Sequence, residues 1–217
     1  MIFMKNIFRE LKGTLIITSV LTLFPLFAGL LLWNVLPDVL VTHWGIDNQP
    51  NGYMSKAAAV FGLPFFMLAI QYLCTFLVFL EKKNRENLKN IRMVLWIVPV
   101  ISILCGAVTY AYACGVMLNV GFIITAAVGL IFAAVGFYLP KFKQNSTVGI
   151  RLPWTLNSEE NWEKTHRLAG RVWIAGGLLM TAASPLANIW VMIGILLVMI
   201  MIPLLYSFWY SKQENKI

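Results

Sequence analysis

Apolar residues gather in six long runs along this chain, separated by shorter polar stretches. A helix needs about 20 mostly apolar residues to cross the hydrocarbon core of a bilayer. Residues 14–34, 57–80, 91–112, 118–139, 168–188 and 189–210 meet that length. Only Ser184-Pro185-Leu186-Ala187-Asn188, a turn-like cluster, divides the last two runs. Together they are too long for one crossing, so the pattern predicts a tight helical hairpin there. The expected fold is all-α: a polytopic membrane helix bundle of six transmembrane helices.

Composition agrees with that class. The chain is 59% hydrophobic and 12% charged, half the charge of an ordinary soluble domain at roughly 25%. Its mean hydropathy is +0.77. A net charge of +8 on a soluble protein would suggest nucleic acid, but on a membrane chain basic residues mark the cytoplasmic loops. Lys5, Arg9 and Lys12 precede the first run. Lys82, Lys83, Arg85, Lys89 and Arg92 lie between the second and third. Lys141, Lys143, Arg151, Lys164, Arg167 and Arg171 follow the fourth, and Lys212 and Lys216 end the chain. Of the 17 basic residues, only Lys56 falls on the other side. This asymmetry predicts an N-in/C-in topology with both termini cytoplasmic. The first run follows a basic start and reaches Trp33 without a small-residue cleavage site, so it reads as an uncleaved first membrane helix. Cys74, Cys105 and Cys114 have neither ligand nor framework spacing.

Two regions are expected. Residues 1–140 would form a four-helix membrane region with an outer loop at 36–56. Residues 141–217 would supply a cytoplasmic segment, 141–167, and the two-helix hairpin. The spans carry no acidic or basic residue in their interiors, which argues against ion-coupled transport. A passive conduit stays open as a reading, and predicts a continuous polar path.

Candidate chemistry sits in the two polar stretches. The outer loop, LPDVLVTHWGIDNQPNGYMSK, carries Asp38, His43, Trp44, Asp47 and Tyr53, with turn signals at 48–50 and at Asn51-Gly52. It reads either as a solvated connector with Trp44 and Tyr53 at the outer interface, or as a loop that catches a cationic or amphipathic ligand. Asp38 with His43 is too small a set for a metal.

In the inner stretch, Pro153 biases Leu152 to extended backbone, and Trp154 suits the inner membrane interface. A helix is predicted to follow. Asn157 serves as its N-cap, Glu160 completes a capping box, and Glu159 and Glu163 favour the positive end of the helix dipole. Glu160 with Lys164, and Glu163 with Arg167, are spaced as i,i+4 pairs. Trp162, His166, Ala169 and Trp173 share one face, while Arg167 and Arg171 lie on another, and the helix should run on into the fifth crossing. His166 reads either as a packing residue beside Trp162 or as an acid–base partner of Glu163 or Glu159 in a membrane enzyme acting on lipid or peptide. A second histidine at the spacing of a zinc helix is absent, as are a GxSxG elbow and a glycine-rich phosphate loop. No metal, cofactor or direct nucleic-acid contact is expected.

The stretch GIRLPWTLNSEENWEKTHRLAGRVW resembles the signature of the SdpI family, multi-pass immunity proteins in the cell membrane of Gram-positive bacteria. The outer stretch resembles a module of unassigned role that often precedes it; here Val41 stands where proline is common, and Asn51 where aspartate is usual. The resemblance implies protection against a secreted, membrane-active peptide toxin. It also implies a second partner: a small DNA-binding repressor drawn to the membrane by the toxin-engaged protein. On that reading the outer-loop residues meet the toxin. Arg151, Pro153, Trp154, Glu159, Trp162, Glu163, His166, Arg167 and Arg171 form the cytoplasmic docking motif.

Overall fold

The computed structural model describes residues 2–80, 88–186 and 188–214. Lys82, Lys83, Arg85 and Lys216 of the charge pattern lie outside the described residues, as do the side chains of Lys5, Arg9 and Lys89. Five helical stretches are long and apolar enough to cross a membrane: Glu10–Leu31, Ala58–Leu80, Arg92–Ala113, Val120–Lys141 and Ile189–Glu214. The protein is a membrane-spanning helical bundle, as its hydrophobic pattern predicts. The helices fall into two compact units, one of Met1–Leu80 and Asn87–Val120 and a second that includes Gly121–Ile217.

In the first unit, α1 (Ile2–Thr22) and α2 (Phe24–Leu31) form one span broken at Leu23. Pro25, which has no N–H to donate, stands in the first turn of α2. A π-helical turn, Ala58–Gly62, leads into α3 (Leu63–Leu80), and α4 covers Leu88–Ala113. Helix α1 packs against α3 and α4. Their buried polar residues are joined: Gln71 Nε2 donates to Thr18 Oγ1 at 2.9 Å, Thr22 donates to Gln71 Oε1, and Ser102 Oγ donates to Thr22 O at 2.8 Å. These are the polar residues that interrupt the apolar runs. The buried Gln71 amide ties α3 to α1 and Ser102 ties α4 to α1, and an amide left unpaired would be costly in a bilayer.

The outer loop departs from the expected connector. Val39–Trp44 (β1) and Pro50–Ser55 (β2) pair antiparallel, with Val41 opposite Tyr53 and His43 opposite Gly52. The turn lies at 45–49, where Gly45 N–H donates to Gln49 O and Asn48 takes a left-handed φ of 61°. Asn51-Gly52, read as a second turn, is inside β2 instead. Glycine is required there by close approach, since a Cβ on Gly52 would lie 2.7 Å from that of His43. The hairpin has a reason to form: Leu40 and Leu36 join Leu26, Ala59, Val60 and Tyr110 in a buried apolar cluster. Those contacts hold down a pair of strands too short to be stable alone.

The second unit contains α5 (Val120–Tyr138), a short α6 (Pro153–Asn157), α7 (Glu159–Ala183) and α8 (Ile189–Glu214). Helices α7 and α8 form the predicted antiparallel hairpin, with Trp173 Nε1 donating to Met199 O and Asn161 Nδ2 to Ser207 O. Helix α7 is not among the five long apolar spans, because its first half carries Glu159, Glu160, Glu163, Lys164, Arg167 and Arg171. It is nonetheless continuous from the polar segment into the apolar run. Its backbone meets α5 through glycines: a Cβ on Gly170 would stand 2.7 Å from Gly136 O, and one on Gly177 would stand 2.6 Å from Ala133 N. Small residues at such spacing let helices approach to backbone contact where no water drives them together.

Candidate functional site

The inner motif is built as a lock. Segment 142–157 folds against α7 and α8, and polar side chains hold each turn of it. Asn145 is buried; its Oδ1 accepts from Thr147 N and Val148 N, and its Nδ2 donates to Lys143 O and Val148 O. Gly149 follows with φ +120°, and a Cβ there would meet Trp162 at 2.9 Å. Leu152 is extended, as Pro153 requires, yet Pro153 itself begins α6 at the first-turn position that tolerates proline. Thr155, fully buried, accepts from Leu152 N at 2.9 Å and donates to Ile150 O at 2.8 Å.

The cap of α7 is one residue later than the sequence suggests. Ser158, not Asn157, takes the N-cap and accepts from Asn161 N at 3.0 Å; Asn157 closes α6 instead. Glu160 therefore sits at the second helical position, one short of a capping box. It pairs with Lys164 at 2.7 Å, as its spacing predicts, and accepts from Tyr210 OH at 2.7 Å. The Lys164 ammonium, then the Tyr210 hydroxyl, holds the Glu160 carboxyl below its usual range.

His166 decides the character of the motif. It is 1% exposed and stacks on Trp162 at 4.0 Å between ring centroids. Ile150 N–H points at Nε2 from 2.9 Å, and the Trp162 carbonyl lies 2.8 Å from Nδ1. A backbone N–H only donates and a carbonyl only accepts, so Nε2 must be bare and Nδ1 must carry the proton. Burial pushes the imidazole down to about 4, so the ring is neutral at physiological pH. Both nitrogens are committed to backbone groups. Trp162, fully buried, donates to Phe142 O at 2.8 Å, and Trp154 Nε1 donates to Ser207 Oγ at 3.0 Å. What faces outward is charge: Arg151, Glu159, Glu163, Arg167 and Arg171, with Pro153 beside them, are exposed.

At the hairpin, His43, Asn51, Tyr53, Asp38 and Asp47 are exposed and Trp44 is half-buried. His43 Nδ1–H donates to Asn51 Oδ1 across the strands, and Nε2 has no partner among the described residues. Asp47 Oδ1 accepts from Gln49 N in the turn. Asp38 pairs with Lys56 at 3.3 Å, and the Lys56 ammonium also donates to Trp33 O at the end of α2. Trp44 sets its edge against Tyr112, and its buried Nε1 has no hydrogen-bond partner among the described residues.

Residues 141–207 match the SdpI/YfhL protein family, and residues 20–68 match a domain of unknown function, DUF1648. The immunity protein SdpI of Bacillus subtilis (strain 168) is 27% identical over 209 residues, 92% of this chain and 97% of that protein. The chain carries an SdpI/YfhL-family region at residues 141–207. No solved structure matches it.

The SdpI match covers the lock and most of the helical hairpin, and the second match takes in α2, β1, β2, the π-helical turn and the start of α3. The structure stacks Trp162 and His166 in the interior of the lock, sets half-buried Trp154 against Ser207 and Phe208, and leaves the arginines and glutamates of the motif on its surface. Glu163 and Arg167 form no ion pair among the described residues. Sequence reasoning missed Asn145, Gly149, Thr155, Asn161 and Ser207. Gly149 offered the one usable signal, a glycine directly before the extended Ile150–Pro153 stretch; the others read as ordinary polar residues.

Proposed function

We propose that this protein is a membrane immunity protein, protecting its cell from a secreted antimicrobial peptide toxin captured at the β1–β2 hairpin. The observation that carries the reading is the collinear likeness, over 92% of the chain, to a protein whose name is immunity protein SdpI. The six-crossing, N-in/C-in topology belongs to the same proposal. The basic residues support it, as does α7, which continues from the charged segment into an apolar half. On that topology the hairpin faces outward, where a secreted peptide arrives, and Tyr53, His43 and Asp38 are its exposed contacts.

The charged rim of the inner lock supports the signalling role as well. Arg151, Glu159, Glu163, Arg167 and Arg171 present both signs of charge on one rigid segment, a surface suited to a small repressor protein by charge complementarity. His166 and Trp162 lie beneath this rim and act by holding it in shape.

Purified protein in lipid nanodiscs should bind a toxin lethal to the unprotected host, and Tyr53→Ala with His43→Ala should weaken that binding. Arg167→Ala with Arg171→Ala should leave toxin binding intact and reduce repressor recruitment to membranes. Equal toxin binding by the hairpin variant would remove the hairpin from the capture site.

A further inference from the structure

Beneath the hairpin the first unit carries a partly open cavity of about 170 Å³. Pro25, Thr42, Met67, Cys105, Thr109 and Tyr110 are among the residues that line it. It lies where regular helix is interrupted, at the α1–α2 break and beside the π-helical turn that leads into α3. Such π-helical turns recur at functional sites.

Its polar groups are unusual for this bundle. Thr18, Thr22 and Thr75 each turn the hydroxyl back onto the carbonyl four residues earlier. Thr109 and Tyr110 are 5% and 6% exposed, line the cavity, and have no side-chain hydrogen bond among the described residues. Thr42, half-buried on the hairpin side, adds a third hydroxyl without a side-chain hydrogen bond among the described residues. These hydroxyls open onto the cavity, so a ligand lodged there can supply the hydrogen-bond partner that the protein does not. Ser102, whose hydroxyl is donated to Thr22 O, and Cys105 also line it, and the rest of the wall is apolar. A cavity of roughly 150 Å³ with apolar walls accepts a benzene ring.

We propose that this cavity binds a single ring-sized apolar group bearing a hydrogen-bonding atom, supplied as a side chain by the peptide toxin of the reading above, on which this source rests. The ring fills the volume among Pro25, Met67 and Cys105, and its polar atom pairs with the hydroxyls of Thr109 and Tyr110.

The test uses the full chain in nanodiscs with Cys74→Ser and Cys114→Ser, so that Cys105 is the one thiol. Its modification by methyl methanethiosulfonate is timed with p-cresol or with toluene. At about ten times its Kd, p-cresol should slow modification about tenfold by mass action. Toluene, lacking the hydroxyl, should need a higher concentration. Thr109→Val with Tyr110→Phe should erase the difference between the two probes, and the thermal unfolding of that variant without probe reports whether it is folded. A modification rate unchanged by p-cresol overturns the proposal. The peptide source is tested separately with Cys105→Leu and Thr109→Leu, which fill the cavity. At normal membrane abundance both should lose toxin resistance. If p-cresol protects Cys105 while both filled variants survive the toxin as the parent does, the pocket stands and its toxin assignment falls. If the parent chain itself confers no resistance, the immunity reading fails, whatever the probes do at Cys105.

Discussion

Replacing His166 separates a structural lock from a catalytic centre. His166→Ala strands the Ile150 N–H, whose acceptor is Nε2 at 2.9 Å; an unpaired buried donor costs about 1–3 kcal/mol. It also removes the ring stacked on Trp162 at a site only 1% exposed, and the hole left by a side chain of that size adds about 2 kcal/mol. The expected loss is therefore about 3–5 kcal/mol. His166→Gln keeps an acceptor near the Nε2 position and much of the volume, so its loss should be about 1 kcal/mol. The assay is reversible unfolding of the purified protein in mixed micelles, with proteolysis of segment 142–157 as a local readout. Resistance should follow stability: weakened in the alanine variant, largely kept in the glutamine variant. Unchanged stability in both, with resistance lost in both, would refute the lock and restore a chemical role for the imidazole.

Other consequences are equally open to measurement. His166 is held at about 4 against an ordinary 6.5, so the unfolded chain takes up the proton first as pH falls. Stability should be level above pH 6.5 and decline towards pH 4 by up to about 1.4 kcal/mol per unit; unfolding midpoints against pH check this, and His166→Gln should remove that component. Gly149→Ala forces a residue with a Cβ into φ +120° and against Trp162, which should cost about 1–3 kcal/mol from backbone strain alone, read by the same unfolding assay. Gln71→Leu should cost only about 0.6–2 kcal/mol, because Thr18 and Thr22 keep their bonds to Thr14 O and Thr18 O; a larger loss in detergent unfolding would mean the amide does more than join α3 to α1.

The helical spans were legible because burial in lipid demands long apolar runs, and their length survives any detail of packing. The face shared by Trp162, His166 and Ala169 was legible for the same reason: helical period alone puts them together. The hairpin was not. Its strands are short and bulged, the second opens on Pro-Asn-Gly, and they are held by Leu36 and Leu40 docking on α2, the π-helical turn and α4, contacts no local pattern announces. The cap shifted from Asn157 to Ser158 because Pro153 starts a separate turn of helix that uses Asn157 as its end. The lock itself depends on Asn145 and Thr155, whose partners are backbone groups across a tight loop, and on Ser207, whose hydroxyl accepts from the distant Trp154 indole. Such residues show their role only in three dimensions.

Survival is the most direct measure of the central claim. The chain and its His43→Ala/Tyr53→Ala variant are expressed in a strain sensitive to the peptide toxin, membrane abundance is matched by immunoblot, and the lethal toxin dose is determined for each. The account predicts that the parent chain raises the lethal dose and that the hairpin variant returns it towards that of unprotected cells. A parent chain present in the membrane at normal abundance that leaves the lethal dose unchanged would contradict it.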